Sequence, residues 1–281
     1  MEVSLWHWHW RPDVLLVLGS LGAAYGLGWW RIRRQGYRAL AARWRLAAYG
    51  GGLGAVALAL LSPVERLAEV LLAAHMVQHQ LLIMVAAPLV LLGNPLPFGL
   101  WGLPRRLRRR VGAGLAPQSP ARRGLRGLTW LPVAGILYTG TLWAWHLPAA
   151  YEAALHHDLL HDLEHLSFFG TALLFWFPII NPAPREPVVR GGLFYGLRIA
   201  YLILATAQNT LLGGLISLTE RVFYPSYAAA PRLFGLSALD DQSLAGGIMW
   251  SGGHMYLIAI LWLVGQAMSA EGRTAPHRHV T

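Results

Sequence analysis

The sequence contains no cysteine and no lysine. Without cysteine, the chain cannot form a disulfide, bind a metal through a thiolate or use a cysteine as a nucleophile. Charged residues are also scarce, at 13% of the 281 positions, whereas 55% of the residues are hydrophobic. This composition excludes a disordered chain, a coiled coil and an ordinary soluble enzyme. The sequence is rich instead in long apolar runs, in histidine and in tryptophan.

The apolar runs predict an all-α protein that crosses a membrane several times. A bilayer core about 30 Å thick requires roughly 20 apolar residues in a helix. Seven runs approach or meet this length, so we expect a seven-transmembrane-helix bundle that forms one integral membrane domain over residues 1–281. The longest connection, 94–128, is predicted to be a basic cytoplasmic loop. The predicted spans are 14–30, 45–62, 68–93, 129–146, 160–180, 193–218 and 243–266.

The distribution of arginine predicts the orientation of these spans. Nineteen of the 23 arginines follow the first, third, fifth or seventh span, and only Arg11, Arg66, Arg221 and Arg232 lie on the other side. Because cytoplasmic connections of membrane proteins are enriched in basic residues, the N-terminus is expected outside and the C-terminus in the cytoplasm. The basic runs are therefore interpreted as topology signals that contact membrane lipids, and nucleic-acid binding is not expected.

Histidine is concentrated on the predicted outer side of the membrane. Only two of the 12 histidines, His277 and His279, are expected in the cytoplasm. Four others form two pairs with a spacing of four residues, which are His75 with His79 in the third span and His161 with His165 in the fifth. Residues four apart project from one face of a helix, about 6 Å apart along its axis, so each pair offers two nitrogens to one metal ion.

The two histidine pairs also begin a short internal repeat. Each pair is followed, 15 or 16 residues after its second histidine, by an Asn-Pro dipeptide that begins at Asn94 or Asn181. Both spans are predicted to run from outside to inside. The sequence therefore uses one unit twice, in parallel, with histidines at the outer end and Asn-Pro at the inner end.

Depth along the spans predicts a series of imidazole groups that leads from the outer surface toward mid-membrane. His146 is expected at the outer interface, His75 and His165 roughly 8–10 Å inside it, and His79 and His254 roughly 16 Å inside it. Histidine in the hydrocarbon region is costly and usually functional.

Several further side chains are candidates for a supporting role at this site. Met76, Met249, Asp162 and Asp241 are possible auxiliary ligands. The carboxylates of Asp158, Asp162 and Glu164 can accept hydrogen bonds from the second ring nitrogen of metal-bound histidines. Asp241 and Gln242 precede the last span, where the usual role of such residues is to cap the helix N-terminus.

The donor chemistry leaves three ligands open. Imidazole with optional thioether and no thiolate suits copper well and zinc acceptably. A bis-histidine haem needs one histidine from each of two facing helices at matching depth, which His75 and His165 approach. A zinc hydrolase needs three protein ligands, a bound water and a nearby carboxylate base.

Three segments carry longer motifs: HMVQHQLLIMVAAPLVLLGNP (75–95), LWAWHLPAAYEAAL (142–155) with HDLEHLSFFGTALLFWFPI (161–179), and DQSLAGGIMW (241–250). In this order they resemble the CtaG-type cytochrome c oxidase assembly factors, over about residues 60–266. The resemblance implies a bacterial multi-span protein that helps to mature haem-copper oxidases by handling copper. The motif residues in this sequence are His75, His79, His146, His161, His165, Asp241 and Gln242, and His254 is added from this sequence alone.

These observations predict a non-enzymatic assembly factor in the bacterial inner (plasma) membrane. It would take copper from a periplasmic or external donor, bind it in the outer half of the membrane and pass it to a haem-copper oxidase subunit. The candidate metal ligands are His75, His79, His146, His161, His165 and His254. Alternative functions are an intramembrane zinc-dependent hydrolase, a membrane b-type cytochrome and an assembly scaffold that binds no metal.

Overall fold

The computed structural model describes residues 7–183 and 192–274, and every regular element in these two ranges is a helix. The predicted all-α class is therefore confirmed. The first eight helices are α1 (Pro12–Arg34), α2 (Arg43–Leu61), α3 (Pro63–Ala68), α4 (Leu72–Gln80), α5 (Ala87–Leu92), α6 (Pro95–Gly102), α7 (Arg105–Gly114) and α8 (Pro120–Leu128). The others are α9 (Leu131–His146), α10 (Pro148–His156), α11 (Asp158–Ile180), α12 (Gly192–Ser217), α13 (Pro225–Ala229), α14 (Ala238–Gly252) and α15 (His254–Thr274). Five residues used in the sequence-based topology lie outside the described ranges, namely Arg185, Arg190, Arg278, His277 and His279.

Within the described residues, six helical segments are long and apolar enough to cross a membrane, which makes the chain a multi-pass membrane protein. They are Pro12–Arg34, Arg43–Leu61, Leu72–Leu92, Asp158–Ile180, Leu193–Ser217 and Ala238–Ser269. The remaining predicted span, 129–146, corresponds to α9, which has only 16 residues. This helix ends early because Pro148 disfavours a helical backbone at Leu147, which is extended.

The connection 94–128 differs from the predicted loop, because most of it is helical. It contains α6, α7 and α8. The prolines of this segment suggest that helices are interrupted there. In the first turn of a helix, however, proline is tolerated, because a backbone N–H at that position would have no intrahelical partner. Pro95 and Pro120 occupy such positions, and the Ser119 hydroxyl accepts the N–H of Arg122 at 3.0 Å to cap α8.

The predicted internal repeat has a counterpart in the backbone. Asn94 and Asn181 each end a histidine-bearing segment in the left-handed conformation, with φ of 56° and 50°. Asparagine tolerates this region better than most residues, which explains its use at both ends. The Oδ1 of Asn94 accepts the N–H of Ala183 at 2.7 Å, so the two Asn-Pro ends lie together.

A π-helical segment, Leu81–Ala86, joins α4 to α5 directly after Gln80, two residues past His79. Pro88 accounts for the irregularity, because it has no N–H to donate to the carbonyl one α-helical turn earlier. The long helix α11 packs along this segment and α5. The indole N–H of Trp176 donates to the Ile83 carbonyl at 3.0 Å. Single π-helical turns are frequent at functional sites, and this one lies between the histidine pair of α4 and the helix α5, against which α11 packs.

Candidate metal centre

Five of the predicted histidines come together in one buried cluster. Within each predicted pair the ring centroids are 4.4 Å apart on α4 and 4.3 Å apart on α11. Between the two helices, His75 lies 5.3 Å from His161, and His79 lies 5.5 Å from His165. His146, the last residue of α9, lies 6.2 Å from His79. The expected series of depths is thus a compact group, because the two pairs face each other across the α4–α11 contact.

Glu164 lies against both histidines of α4. Its Oε2 is 3.8 Å from Nε2 of His75, and its Oε1 is 3.7 Å from Nε2 of His79. The glutamate side chain is fully buried, and both histidine side chains are almost so. The sequence suggested this carboxylate only as a hydrogen-bond acceptor behind a ligand. Its position three residues after His161 could have indicated that Glu164 joins the cluster, because this spacing places both residues on one face of α11.

The hydrogen bonds of Tyr227 determine which nitrogen of His75 is free. The Tyr227 hydroxyl donates its single proton to the Ala68 carbonyl at 2.8 Å. The same oxygen lies 2.9 Å from Nδ1 of His75, so this nitrogen carries a proton and donates. Burial raises the pKa of Tyr227 well above its ordinary value, so the hydroxyl stays protonated. The unprotonated Nε2 of His75 therefore faces Glu164 with its electron pair free.

The same argument applies to His146. Its Nδ1 lies 2.7 Å from the carbonyl oxygen of Leu142, which can only accept a hydrogen bond. Nδ1 therefore carries the proton, and Nε2 holds the electron pair. Such outer hydrogen bonds orient metal-binding histidines and raise their basicity. Two histidines from two helices are thus held in the tautomer that a metal requires.

The facing atoms of the cluster have no hydrogen-bond partner within the described residues. They are Nε2 of His75, His146, His161 and His165, both ring nitrogens of His79 and both carboxylate oxygens of Glu164. Buried polar atoms are nearly always paired, and leaving them unpaired costs free energy. One ligand atom from each of His75, His161 and His165 lies within 4.8 Å of the others, and the same holds for His75, His79 and Glu164. Both groups share His75, so the set converges on one place that can hold a metal ion.

Asp241 and Gln242 support the cluster from a distance rather than capping their own helix, which corrects the capping prediction. Helix α14 begins earlier, and Ser237 with Asp240 caps it. The carboxylate of Asp241 instead accepts the N–H groups of Leu72 and Ala73 at 2.8 and 3.0 Å. A carboxylate there stabilises the N-terminus of α4, which has no side-chain cap of its own.

Gln242 holds the chain that leads to Tyr227. Its Oε1 accepts the N–H of Phe223 at 2.7 Å, and its Nε2 donates to the Arg221 carbonyl at 2.9 Å. This anchors the segment between α12 and α13. The two residues of this motif thus position α4 and the hydroxyl that fixes His75. Neither joins the close groups of candidate ligand atoms.

The other predicted ligands lie apart from the cluster. His254 is exposed, and its Nδ1 donates to the Ser251 carbonyl at 2.6 Å. Met76 and Met249 are buried in apolar clusters, as methionine usually is. Asp162 forms an ion pair with Arg11, with hydrogen bonds of 2.5 and 2.9 Å. The sequence could not distinguish these residues from those of the buried cluster, because depth in the membrane does not give the direction in which a side chain points.

Replacing Tyr227 with phenylalanine is expected to weaken metal binding about tenfold to a hundredfold, the usual effect of removing a hydrogen bond behind a metal ligand. The change leaves Nδ1 of His75 without an acceptor and removes the constraint on its tautomer. Competition titration of the purified protein would measure the loss. Tyr138→Phe is the matched control, since Tyr138 is equally buried but bonds to Tyr256 instead. Equal affinities in the two variants would contradict this role.

No significant match was found among the curated proteins or the solved structures. The model of one protein family, described as cytochrome c oxidase caa3 assembly factor, matches residues 23–270. The matched range contains all six cluster residues, together with Tyr227, Asp241 and Gln242. The chain therefore belongs to the caa3-type cytochrome c oxidase assembly factor family.

Proposed function

We propose that this protein binds copper in the buried histidine cluster and helps to deliver it to a haem-copper oxidase. The observation that carries the proposal is the set of converging imidazole and carboxylate atoms that have no hydrogen-bond partner in the described part of the chain. Membership of an oxidase assembly family supports the oxidase as the partner. The role is binding and transfer, without turnover of a substrate. The copper would come from a periplasmic or external donor and pass to an oxidase subunit.

The donor set supports copper over haem. Imidazole nitrogens without thiolate are suitable ligands for copper. A bis-histidine haem needs open space between two facing imidazoles. His75 and His165 are the facing pair, but His79, His161 and Glu164 crowd the same place. The cluster therefore suits a single ion better than a macrocycle.

A zinc-dependent hydrolase is the second candidate function, and one observation favours it. Three imidazoles with a buried carboxylate beside them also match the ligands and general base of a catalytic zinc site. In that case Glu164 would activate a zinc-bound water. The identity of the metal that the purified protein retains, zinc or copper, distinguishes a hydrolase from a copper-transfer protein.

Metal analysis of the protein purified without a polyhistidine tag tests the proposed function. Copper at about one equivalent per chain is expected when cells are grown with copper. The absorption spectrum should lack a Soret band. Stoichiometric zinc in place of copper would favour the hydrolase. A stoichiometric Soret band that shifts on reduction would contradict the copper proposal.

The proposed placement in the bacterial plasma membrane adds α9 as a seventh crossing helix. At 1.5 Å per residue its 16 residues span about 24 Å, somewhat less than the hydrocarbon core. An odd number of crossings puts the chain termini on opposite sides. Because cytoplasmic connections are enriched in basic residues, the arginine-rich helices α7 and α8 are assigned to the cytoplasm, where they contact anionic lipids. The histidine cluster then lies in the outer half of the membrane.

Reporter fusions test this topology. A reporter fused after Thr281 should read cytoplasmic, and one inserted near Asp158 should read external, because Asp158 begins α11 on the cluster side. A fusion near Gln118, between α7 and α8, should match the C-terminal one. The reverse pattern would place the cluster in the inner half of the membrane and contradict delivery from outside.

A further inference from the structure

A cavity of about 740 Å³ leads from the surface of the protein to the histidine cluster. The chain before α1, the turn between α3 and α4, and the start of α11 form its walls. His156 and Asp158 line it and are exposed, whereas His75 lines it and is only 1% exposed. The cavity therefore connects the outside of the molecule with the face of His75.

The walls of this cavity carry more acidic than basic residues, although the chain has a net charge of +10. Four of its described lining residues are acidic, namely Glu65, Glu69, Asp158 and Asp162. Arg11 and Arg66 are the arginines in its lining, and they pair with Asp162 and Glu69. Glu65 is buried, and burial raises its pKa to about 7 while a hydrogen bond from Gln78 opposes the shift. Even when Glu65 is partly protonated, the carboxylates of Glu69, Asp158 and Asp162 outnumber the two arginines, so the wall attracts a cation.

The inner end of the cavity offers unpaired nitrogen atoms. Nε2 of His75 and Nε2 of His161 are both buried with no hydrogen-bond partner among residues 7–183 and 192–274, and both residues line the cavity. His75 is also the residue that the two groups of candidate ligand atoms share. A cation that enters along the acidic wall therefore meets free imidazole nitrogens at the end of its path.

The chemistry of the lining identifies the class of cation. Its donors are carboxylate oxygens and imidazole nitrogens, and none of the described lining residues is a methionine. Thioether donors favour Cu(I), whereas mixed oxygen and nitrogen donors suit divalent ions such as Cu(II) and Zn(II). The two methionines considered as auxiliary ligands, Met76 and Met249, pack in apolar clusters instead.

We propose that this cavity is a loading site, where the carboxylates of Glu69 and Asp158 attract an incoming divalent cation, and His161 and His75 receive it at the entrance to the buried cluster. This inference rests on the proposed function, because it requires the cluster to bind a metal. It adds the route by which the ion reaches the cluster, and it specifies that the ion arrives in its divalent state.

Loading kinetics of the full-length protein with Cu(II) alone test the proposal. The variant is Glu69→Gln/Asp158→Asn, because both side chains are exposed and their amides keep the shape. It should load about tenfold more slowly than the wild type at low ionic strength, since electrostatic steering changes association rates by about ten to a thousandfold. It should keep the tight equivalent of Cu(II), because neither carboxylate belongs to the cluster.

Glu220→Gln is the matched control, because Glu220 is exposed and does not line the cavity. It should load like the wild type, and equal slowing in this variant would overturn local capture. Unchanged loading in Glu69→Gln/Asp158→Asn would also overturn the loading site while leaving the tight equivalent in place. Failure of the proposed function is distinguishable, because the wild type would then lack the tight equivalent altogether.

Discussion

Replacing His79 with alanine is expected to lower the affinity of the purified protein for copper roughly a hundredfold, which corresponds to about 3 kcal/mol. The figure follows from binding free energies of about 10–16 kcal/mol that are shared by about four ligands in buried metal sites. His79 is 2% exposed, and neither of its ring nitrogens has a hydrogen-bond partner within the part of the chain that the structure describes. Removing it takes away a nitrogen that no neighbour in the described cluster replaces.

His156→Ala is the matched control for this experiment. His156 lies at the mouth of the cavity with its side chain 67% exposed, near Glu152 and the Ser226 hydroxyl. Its removal should change copper affinity by no more than about twofold, because exposed contacts of this kind contribute little. Competition against a coloured chelator measures both affinities, and thermal unfolding shows whether both variants fold. Equal affinities for the two variants would remove His79 from the metal site.

The positions of the long helices and of the histidine pairs could be predicted from the sequence. Apolar runs of membrane-spanning length depend only on local composition, and the spacing of four residues fixes one helix face. For this reason the pairs His75 with His79 and His161 with His165 each share a face, as expected. The Asn-Pro repeat also corresponded to a real feature, the left-handed ends at Asn94 and Asn181.

The contacts that complete the site could not be predicted, because they join residues far apart in the chain. Asp241 bonds to the N-terminus of α4 across 169 positions, and Tyr227 bonds to His75 across 152. Pattern within one helix says which face a residue occupies, but it does not say which helix packs against that face. The inclusion of Glu164 in the cluster depends on the α4–α11 contact in the same way.

The same limit explains the residues that were expected at the site but lie elsewhere. His254 was placed there by its depth along the last span, yet its ring is exposed and bonds to the Ser251 carbonyl near the end of α14. Met76 shares α4 with the histidine pair but directs its side chain into an apolar cluster with Tyr151 and Tyr224. Depth and sequence neighbourhood therefore define candidates, and helix packing selects among them.

In cells, the largest effect is expected from the double variant His75→Ala/His79→Ala. Its haem-copper oxidase should lose most of its activity and its copper, because the variant removes the residue common to both ligand groups together with its partner on α4. The protein should still insert, since neither histidine contributes to the apolar length of the spans. Oxidase activity and copper content of isolated membranes are the measurements, and a His156→Ala strain is the control.

Excess external copper should partly restore oxidase activity in the double variant if delivery is the step that has been lost. Copper at high concentration can reach the oxidase without the cluster, whereas a protein needed only as a scaffold would not be replaced by the ion. Partial rescue together with normal membrane levels of the variant therefore assigns the defect to copper transfer. Full oxidase activity without added copper would show that the cluster is not required and would contradict the proposed mechanism.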